Sequence, residues 1–548
     1  MIDSFPLIEH ITFIDPAQVF PIFNDQRYRF FLDSGMNGYG LGQYSFIGFD
    51  PFLVFKSRGE NIEIWTGTTS KDLCGNPFTI LRQIIDQYKL PVPEMLPTLP
   101  SFLGGGVGYF SYEMGNLMEE LPVKAMDDLN IPDCIICLYD IILIFDHKQG
   151  QAYISSSGFP EQGGSSSGGG SSSDNSPRHK RAINRIKWVK DRLQLSIHVE
   201  SGTSDSEQIQ VMEVLPYLSL QPNETDRQTE TRGSASSPVP THLPLQLTEL
   251  ITLNPPQKVS PRLRVSACDI PGEFITSNFT QEEYIQAVTK AKQYIDSGDI
   301  YQVNLAQRLM TSISVPPFKL YQQLRKINPA PFGTYLDFDE IVIAGSSPER
   351  FIMVEDNYVE TRPIKGTRPR GKDRSEDKKL KRELLASEKD KAELIMIVDL
   401  LRNDLGRVCQ YGSVIVNDIR RIETYPTVFH TVATICGKLS PDHDRFDLLK
   451  ACFPGGSITG APKIRAMEII DELEPNKRHI YTGSIGYLSF TGSMDLNIAI
   501  RTFLIKDNQV YFHIGGGIVA DSLPEDEYLE TLHKGKALIE ALLLIKAE

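Results

Sequence analysis

The chain has 548 residues, of which 41% are hydrophobic and 23% are charged, proportions typical of globular proteins. This length exceeds what one simple core supports, so we expect two large lobes or one extended two-layer domain. The net charge of −14 argues against general nucleic-acid binding, because no basic face is large enough to compensate. An anionic ligand would therefore need a local cationic pocket.

Seven cysteines are few for this length and favour a reducing, cytoplasmic environment. Cys134 and Cys137 form a lone C-x-x-C pair, for which buried thiols are a better interpretation than a zinc or redox site. The N-terminus lacks a basic region followed by an apolar stretch, and no segment approaches about 18 consecutive apolar residues. We therefore expect a protein that is neither exported nor embedded in a membrane.

Residues 1–155 form a first region of short strands separated by turn residues. The hydrophobic pattern predicts a helical segment at Gln83–Lys89 and strands at Phe52–Ser57, Ile62–Trp65 and Ile135–Phe145. Gly104–Gly108 is rich in glycine but lacks the spacing of a nucleotide-binding loop. We therefore predict that this segment allows close packing of backbones.

Residues 156–265 form a second region of biased composition on either side of one basic helix. Residues 163–173 are almost entirely Gly and Ser and predict a flexible tether, and residues 221–262 are rich in Pro, Ser and Thr. Between them, Arg181–Leu193 has the pattern of a basic amphipathic helix. We interpret it as a surface helix rather than a membrane anchor, and no function follows from these insertions.

Residues 266–548 form a third, denser region. Thr280 and Glu283 form a capping box that predicts a helix ending near Ser297. The hydrophobic pattern predicts further helices at Lys378–Leu405, at Ile464–Leu473 and from Glu525. It predicts strands at Ile300–Thr311, Ile341–Ala344, Phe351–Val354, Val359–Arg362, Tyr481–Ser489, Leu496–Ile505 and Val510–Ile514. Mixed or antiparallel sheets with helices outside them make this an α+β architecture.

Lys365 lies on a turn punctuated by Gly and Pro and crowded by Arg362, Arg368 and Arg370. Like charges and shelter from water would both favour the neutral amine, so this lysine can become a nucleophile near neutral pH. The alternative interpretation is a solvated basic turn without chemical function.

Two groups of carboxylates are candidates for metal binding. Glu393 shares a predicted helix face with Met396 and Ile397, where a carboxylate is costly unless it binds a metal or a buried partner such as arginine. The last helix places Glu527, Glu530 and Lys534 on one face, for which a solvated polar face is the alternative. Two carboxylates from separate helices suffice for Mg²⁺, which keeps water or substrate oxygens as its other ligands.

Glu349 lies in a turn between two predicted strands. Its carboxyl group could act as a general acid or base, or it could simply pair with Arg350. Farther along, Gly515–Gly517 ends a strand in a glycine loop, which lets backbone N–H groups approach a carboxylate closely.

Four motifs stand in the order found in chorismate-utilising enzymes, namely Pro363–Thr367, Glu393–Asp404, Phe453–Lys463 and Ile514–Ile518. The chain resembles that family nearly continuously from about residue 275 to residue 540, and its N-terminal part resembles the family's companion region. The component I enzymes of aminodeoxychorismate synthase are the most similar branch, and those of anthranilate synthase are the near relatives. This resemblance implies a two-layer sandwich of the anthranilate synthase type.

Two positions separate the branches by resemblance. Anthranilate synthases usually carry alanine at the position of Lys365, whereas aminodeoxychorismate synthases carry lysine. Isochorismate and salicylate synthases use a water-activating lysine at the position of Gln302, and glutamine cannot serve as that base. The resemblance thus implies aminodeoxychorismate synthase activity with ammonia as the nucleophile. Anthranilate synthase component I and a non-catalytic, amino-acid-binding paralogue are the alternatives.

The resemblance also implies a mechanism with two displacements on chorismate. Lys365 attacks C2 while Glu349, as general acid, protonates the departing C4 hydroxyl; ammonia then adds at C4 and expels the lysine. Glu393 and Glu530 would hold Mg²⁺. The implied substrate-binding residues are Gly366, Thr367, His430, Tyr481, Arg501, Gly515, Gly517 and Lys534.

Two further expectations come from the resemblance. Enzymes with this pattern usually take ammonia from a glutaminase subunit, and no glutaminase Cys/His/Glu set is recognisable in this sequence. The family also has an N-terminal tryptophan pocket, whose walls correspond to Ser34, Pro331, Phe332 and Gly333. The chain departs from the family's Asn-Pro-Ser-Pro-Tyr at residues 328–332, which leaves feedback inhibition open.

Overall fold

The computed structural model describes residues 5–35, 38, 40–91, 99–161, 176–201 and 275–547. The predicted tether at 163–173 and the Pro-rich segment at 221–262 lie outside these residues. The α-helices described are α1 (Pro16–Val19), α2 (Pro77–Ile85), α3 (Pro177–Ser201), α4 (Gln281–Asp296), α5 (Pro317–Ile327), α6 (Arg374–Ala386), α7 (Glu388–Gly406), α8 (Arg445–Cys452), α9 (Lys463–Leu473) and α10 (Pro524–Ala547). None of the described helices is both long and apolar enough to cross a membrane.

The strands among the described residues are β1 (Leu7–Ile11), β2 (Arg29–Asp33), β3 (Tyr44–Gly48), β4 (Leu53–Arg58), β5 (Asn61–Trp65), β6 (Ser70–Cys74), β7 (Gly105–Phe110), β8 (Cys134–Tyr139), β9 (Ile141–Asp146), β10 (Gln151–Ser156), β11 (Thr276–Ser277), β12 (Gln302–Ser312), β13 (Phe332–Asp337), β14 (Val342–Ser347), β15 (Arg350–Glu355), β16 (Tyr358–Arg362), β17 (Ile364–Pro369), β18 (Ile415–Thr424), β19 (Val428–Lys438), β20 (Gly460–Ala461), β21 (Ser484–Ser489), β22 (Met494–Asn497), β23 (Thr502–Lys506) and β24 (Gln509–Ile518).

These strands form two antiparallel sheets of 12 strands each. The first sheet has the order β1-β10-β9-β3-β2-β13-β14-β23-β24-β12-β11, with β20 beside β12. The second has the order β17-β19-β16-β15-β22-β21-β7-β8-β4-β5-β6, with β18 beside β19. Each sheet therefore combines strands from residues 5–161 with strands from residues 275–547.

The two sheets pack face to face, and helices cover their outer faces. Ile144 of the first sheet and Ile135 of the second are fully buried in the core between them. On the outer face of the first sheet, Val189 of α3 and Leu542 of α10 belong to the core that contains Leu143. This α+β sandwich confirms the predicted fold class.

Two apolar runs that were predicted as single strands each contain two strands, because the chain passes from one sheet to the other. Ile135–Phe145 covers β8 in the second sheet and β9 in the first, and Leu496–Ile505 covers β22 and β23 in the same way. The residues of β8 and β9 are all buried, which explains a continuous apolar run without alternation. An apolar run by itself does not show where the chain changes sheet.

The basic helix α3 lies on the first sheet, as a surface helix should. Asp140, between β8 and β9, is fully buried and accepts hydrogen bonds from Arg181 Nε at 2.9 Å and Arg185 Nη2 at 3.2 Å. These charge-assisted bonds fix the helix at the point where the chain changes sheet.

Several local predictions can be compared with the structure. The capping box is confirmed, because Thr280 Oγ1 accepts from Glu283 N at 3.2 Å and Glu283 Oε2 accepts from Thr280 N at 2.7 Å. The single helix predicted at Lys378–Leu405 is wrong: Ser387 separates α6 from α7 and caps α7. The bounds predicted at Gln83–Lys89 are also wrong, since α2 begins at Pro77 and ends at Ile85.

The glycine-rich strand and the C-x-x-C pair have the packing that was predicted for them. A Cβ atom on Gly108 would lie 1.8 Å from the carbonyl oxygen of Ile135, so β7 and β8 pack too closely for any side chain there. Cys134 and Cys137 are buried free thiols.

Candidate active site

The candidate site lies where two strands cross from one sheet to the other. Glu349 follows β14 of the first sheet and precedes β15 of the second, and Arg501 lies between β22 and β23. The two crossovers are hydrogen-bonded to each other: Ile498 N donates to Glu349 O at 3.0 Å, and Ser346 N donates to Arg501 O at 3.0 Å. The main chains that carry this carboxylate and this guanidinium are therefore fixed side by side.

Glu349 is buried, and burial raises the pKa of its carboxyl group from an ordinary 4.5 to about 6. Ser457 Oγ donates a hydrogen bond to Glu349 Oε1 at 2.6 Å. The alternative pairing with Arg350 is wrong, because that guanidinium donates to Glu360 at 2.7 Å and to Asp495 at 2.8 Å. Glu349 is thus a carboxyl group that can carry a proton near neutral pH.

Lys365 lies on β17, and its Nζ donates a hydrogen bond to Ser457 O at 3.0 Å. Burial lowers the pKa of the Lys365 amine, and the charge of Lys534 adds to this effect. The carboxylates of Glu393, Glu349 and Glu530 oppose it. The amine is therefore easier to deprotonate than an exposed lysine, despite its acidic neighbours.

The expected cause of this pKa shift is wrong in one respect. Each arginine near Lys365 is paired with an acid: Arg362 with Glu423, Arg368 with Asp390 at 3.2 Å, and Arg370 with Asp377 at 2.6 Å. Paired guanidinium groups repel a nearby ammonium weakly, because their partners cancel most of the field. Shelter from water, which the sequence could suggest only in general terms, is the larger cause.

The acidic groups of the last helix approach the glycine strand β24. A Cβ atom on Gly516 would lie 3.3 Å from Glu530 Oε1, 3.3 Å from Lys534 Nζ and 3.5 Å from Glu527 Oε2. Glu530 and Lys534 form an ion pair at 2.7 Å. The three side chains share one face of α10, as their spacing predicts. Glu393 faces the same charges from α7, because the charges of Lys365, Lys389 and Lys534 act on both Glu393 and Glu530.

Glu393 and Glu527 suit a cation such as the expected Mg²⁺, whereas Glu530 is paired with Lys534. Burial raises the pKa of Glu393, and Glu527 Oε2 is buried without a hydrogen-bond partner among the described residues. A divalent cation would stabilise both, because oxygen ligands with a negative charge are what Mg²⁺ prefers. No cluster of three or more metal-binding side chains occurs in the described part of the chain. Binding of Mg²⁺ by Glu393 and Glu530 stays a prediction.

Backbone N–H groups of β24, in the first sheet, lie beside these carboxylates. Strand β23 pairs only with residues 509–511 of β24, so among the described strands one edge of Ile514–Ile518 has no partner. The glycine loop predicted at Gly515–Gly517 is wrong, because these residues continue β24. Gly515 and Gly517 lie in its open segment, where N–H groups can bind a carboxylate. Gly366, next to Lys365 at an irregularity of β17, has φ +79° and would place a Cβ atom 2.9 Å from Thr431 Oγ1, so only glycine suits this position.

His430 and Thr367 form a hydrogen-bonded pair beside Gly366. Thr367 Oγ1 and His430 Nδ1 lie 2.8 Å apart, and His430 Nε2 is buried without a partner among the described residues. Burial and the charge of Arg501 lower the pKa of His430 to about 3, so this imidazole is neutral. Tyr481 is buried as well, stacked on His513 with ring centroids 4.9 Å apart.

Comparisons with known proteins identify the family of this chain. The chorismate binding enzyme family matches residues 233–540. The chain is 37% identical to an anthranilate synthase component 1 from Acetivibrio thermocellus over 529 residues, which is 96% of this chain and 92% of that protein. It is 34% identical to an aminodeoxychorismate synthase component 1 from Bacillus subtilis over 510 residues, covering 92% and 91%.

The chain belongs to the chorismate binding enzyme family. Its fold is similar to the crystal structure of anthranilate synthase component I from Streptococcus pneumoniae, with a TM-score of 0.66, 27% identity, and 92% of this chain and 93% of that chain covered. The protein is therefore a chorismate-utilising enzyme of the anthranilate synthase and aminodeoxychorismate synthase component I type.

The residues predicted to line a tryptophan pocket are neighbours in this chorismate binding enzyme. Asp33 pairs with Gly333 across β2 and β13, which brings Ser34 beside the segment that contains Pro331 and Phe332. Ser34 N donates to Ser45 Oγ at 2.9 Å. Binding of tryptophan itself stays a prediction.

Ser457 is the site residue that sequence reasoning missed. Ser457 lies in the motif Phe453–Lys463, which carries the resemblance but indicates no role for its serine. Its position in a glycine-rich segment is the only sequence signal, because its burial and its partners are visible only in the structure.

Proposed function

We propose that this enzyme is the large subunit of an aminodeoxychorismate synthase, which converts chorismate and ammonia to 4-amino-4-deoxychorismate for p-aminobenzoate and folate synthesis. The observation that carries the proposal is the pair formed by Lys365 and Glu349. A half-buried lysine whose amine has a lowered pKa and a buried carboxyl group with a raised pKa both contact Ser457. A nucleophile and a general acid need these two shifts.

The chemical steps balance with these two side chains. The neutral amine of Lys365 attacks C2 of chorismate, the ring double bonds shift, and the C4 hydroxyl leaves as water with the proton of Glu349. Ammonia then attacks C4, the double bonds shift back, and the C2–N bond to Lys365 breaks. The new ammonium group returns one proton to Glu349. The sum is chorismate plus ammonia giving aminodeoxychorismate plus water.

The other groups bind and orient the substrate in this proposal. The guanidinium of Arg501, the ammonium of Lys534 and the backbone N–H groups of Gly515 and Gly517 would hold its carboxylates, with Tyr481 as a wall. Gly366 and Thr367 would lie beside the nucleophile, and neutral His430 near the leaving group. Glu393 and Glu530 would hold Mg²⁺, which when bound neutralises charge on a substrate carboxylate.

The source of ammonia is part of the same proposal. Relatives of this chain are named component 1, which implies a second component. We propose a heterodimer in which a glutaminase subunit supplies ammonia to this cytoplasmic enzyme.

Anthranilate synthase activity is the second candidate, because relatives with that name reach 37% identity. Incubation of the protein with chorismate, Mg²⁺ and an ammonium salt distinguishes the candidates. We expect aminodeoxychorismate and no fluorescent product until a lyase is added. Blue-fluorescent anthranilate formed without a lyase would support the second candidate. Absence of any product from wild type would favour a non-catalytic binding subunit.

A further inference from the structure

Ser457 contacts both groups that the proposed reaction needs. Its carbonyl oxygen accepts from Lys365 Nζ at 3.0 Å, and its hydroxyl donates to Glu349 Oε1 at 2.6 Å. The residue itself is 7% exposed. Resting on the function proposed above, we propose that Ser457 is a positioning residue that holds the nucleophile and the general acid in one hydrogen-bonded unit.

The turn that carries Ser457 is held from two sides. It is a short 3₁₀ helix at Gly456–Ile458. A Cβ atom on Gly455 would lie 2.7 Å from Ile498 Cδ1, and one on Gly456 would lie 2.5 Å from Leu400 Cδ2. The two glycines therefore let the turn pack directly against a crossover strand and against α7. A carbonyl and a hydroxyl on such a turn have little freedom to move.

The carbonyl of Ser457 suits a neutral amine. A carbonyl oxygen only accepts, so it binds one N–H of Lys365 and leaves the nitrogen lone pair free to face C2 of the substrate. It takes up no proton at neutral pH. Ser457 therefore orients the amine and does not relay its proton to Glu349.

The hydroxyl of Ser457 determines which oxygen of Glu349 carries the proton. Because Ser457 Oγ donates to Oε1, the acidic proton belongs on Oε2, from which it would pass to the leaving hydroxyl. The other groups that face Glu349 are the ammonium of Lys365 on β17, the guanidinium of Arg501 in the neighbouring crossover and the N–H of Ile364. All of them, and the Ser457 hydroxyl, favour the ionised carboxylate. Loss of the hydroxyl should therefore raise the pKa of Glu349.

The test uses the full-length protein with Mg²⁺ and chorismate but no ammonia, so that the first displacement is observed alone. Intact-protein mass spectrometry measures the second-order rate constant for adduct formation on Lys365 across pH. Ser457→Ala removes the hydroxyl and keeps the main-chain carbonyl, so it releases Glu349 alone. We expect it to lower this constant about 10- to 100-fold at pH 7, the size typical of a misplaced reacting group. The chorismate dissociation constant should change by less than about twofold, because Ser457 is not needed for binding. In the wild type the rate constant for adduct formation should fall below about pH 6, the pKa of Glu349, and in Ser457→Ala the fall should begin at a higher pH.

Two variants separate positioning from a general effect on folding. Ser457→Thr keeps the hydroxyl and should recover most of the rate. Thr459→Val removes another buried hydroxyl of the same motif, which contacts Gly455 O at 3.1 Å and not Glu349, and should leave the pH profile unchanged. If Ser457→Ala does not fold, Ser457→Cys replaces it with the same expectations, because a thiol is a weak donor.

The outcomes are distinct. A Ser457→Ala protein with the wild-type rate and the wild-type pH profile overturns this inference and leaves the proposed function intact. The same pH shift in Thr459→Val would also overturn it. If wild-type protein forms neither adduct nor aminated product, the proposed function fails and this inference fails with it.

Discussion

Adduct formation on Lys365 should depend on pH in a way set by Glu349. Burial raises the pKa of Glu349 to about 6 and lowers the pKa of the Lys365 amine from its ordinary 10.5. An amine whose lowered pKa still exceeds that of the acid gives the following profile. The reaction needs a proton on the acid and none on the amine. Below pH 6 both groups are protonated, so the rate should fall about tenfold per pH unit. Above the pKa of the amine both are deprotonated, and the rate should fall again. Between these limits the rate should be constant.

Glu349→Gln removes the acid while keeping the size of the side chain. The rate should drop by about 10²–10⁴, the usual contribution of a positioned general acid. The level region above pH 6 should become a slope, because only the amine then titrates and its neutral fraction rises tenfold per unit. Single-turnover mass spectrometry of the Lys365 adduct, without ammonia, measures both effects. If the wild-type rate fell only below about pH 4.5, the ordinary carboxyl value, Glu349 would not be the general acid. Identical pH profiles for the two proteins would refute that role as well.

The remaining predictions concern the nucleophile, the metal and one buried acid. Lys365→Ala should form no adduct and lose amination by about 10³-fold or more, and any adduct found on the variant would contradict the role of this lysine. Removal of divalent cations should abolish activity, and added Mg²⁺ should restore it. Glu393→Gln should raise the Mg²⁺ concentration needed for half-maximal activity by about tenfold or more. An unchanged Mg²⁺ dependence would count against Glu393 as a ligand. Glu113→Gln should stabilise the protein by about 1–3 kcal/mol at pH 8 and little at pH 4.5, measured by denaturant unfolding. Burial raises the pKa of Glu113 to about 7, so ionisation costs folding free energy as pH rises from its unfolded pKa, and equal effects at both pH values would exclude this cause.

Much of the fold follows from local sequence signals. The capping box at Thr280 and the strands at Phe351–Val354 and Val359–Arg362 need only neighbouring residues. The box occurs as predicted, and the two strands occur as the antiparallel pair β15 and β16. The errors come from long-range packing. A strand buried on both faces is a plain apolar run, and nothing in such a run marks the residue, such as Asp140, where the chain enters the other sheet. The break at Ser387 had a capping signal that the apolar pattern concealed.

The candidate site was also predictable only in part, because the sequence shows residue types but not long-range packing. Residue types and motif order indicated Lys365, Glu349 and the carboxylates, because that chemistry requires particular functional groups. The environment of Lys365 could not be obtained in this way, because pairing of its neighbouring arginines depends on acids far along the chain, such as Glu423. Ser457 was missed since its two partners lie 92 and 108 residues away.

The position of the site at two crossovers makes its geometry depend on packing between the sheets. Ile498 links both parts, because its N–H donates to Glu349 O at 3.0 Å and its Cδ1 is close to Gly455 in the turn that holds Ser457. Ile498→Val removes that Cδ1 methyl group and should cost about 0.5–1.5 kcal/mol of stability. It should also lower kcat more than it changes KM, because the acid and the turn lose their common support. Ile485→Val on β21 is the matched control, since it deletes the same group from a side chain that is equally buried at 2%. If both variants lose the same stability and show equal kcat, the crossovers fix the fold but not the reacting groups.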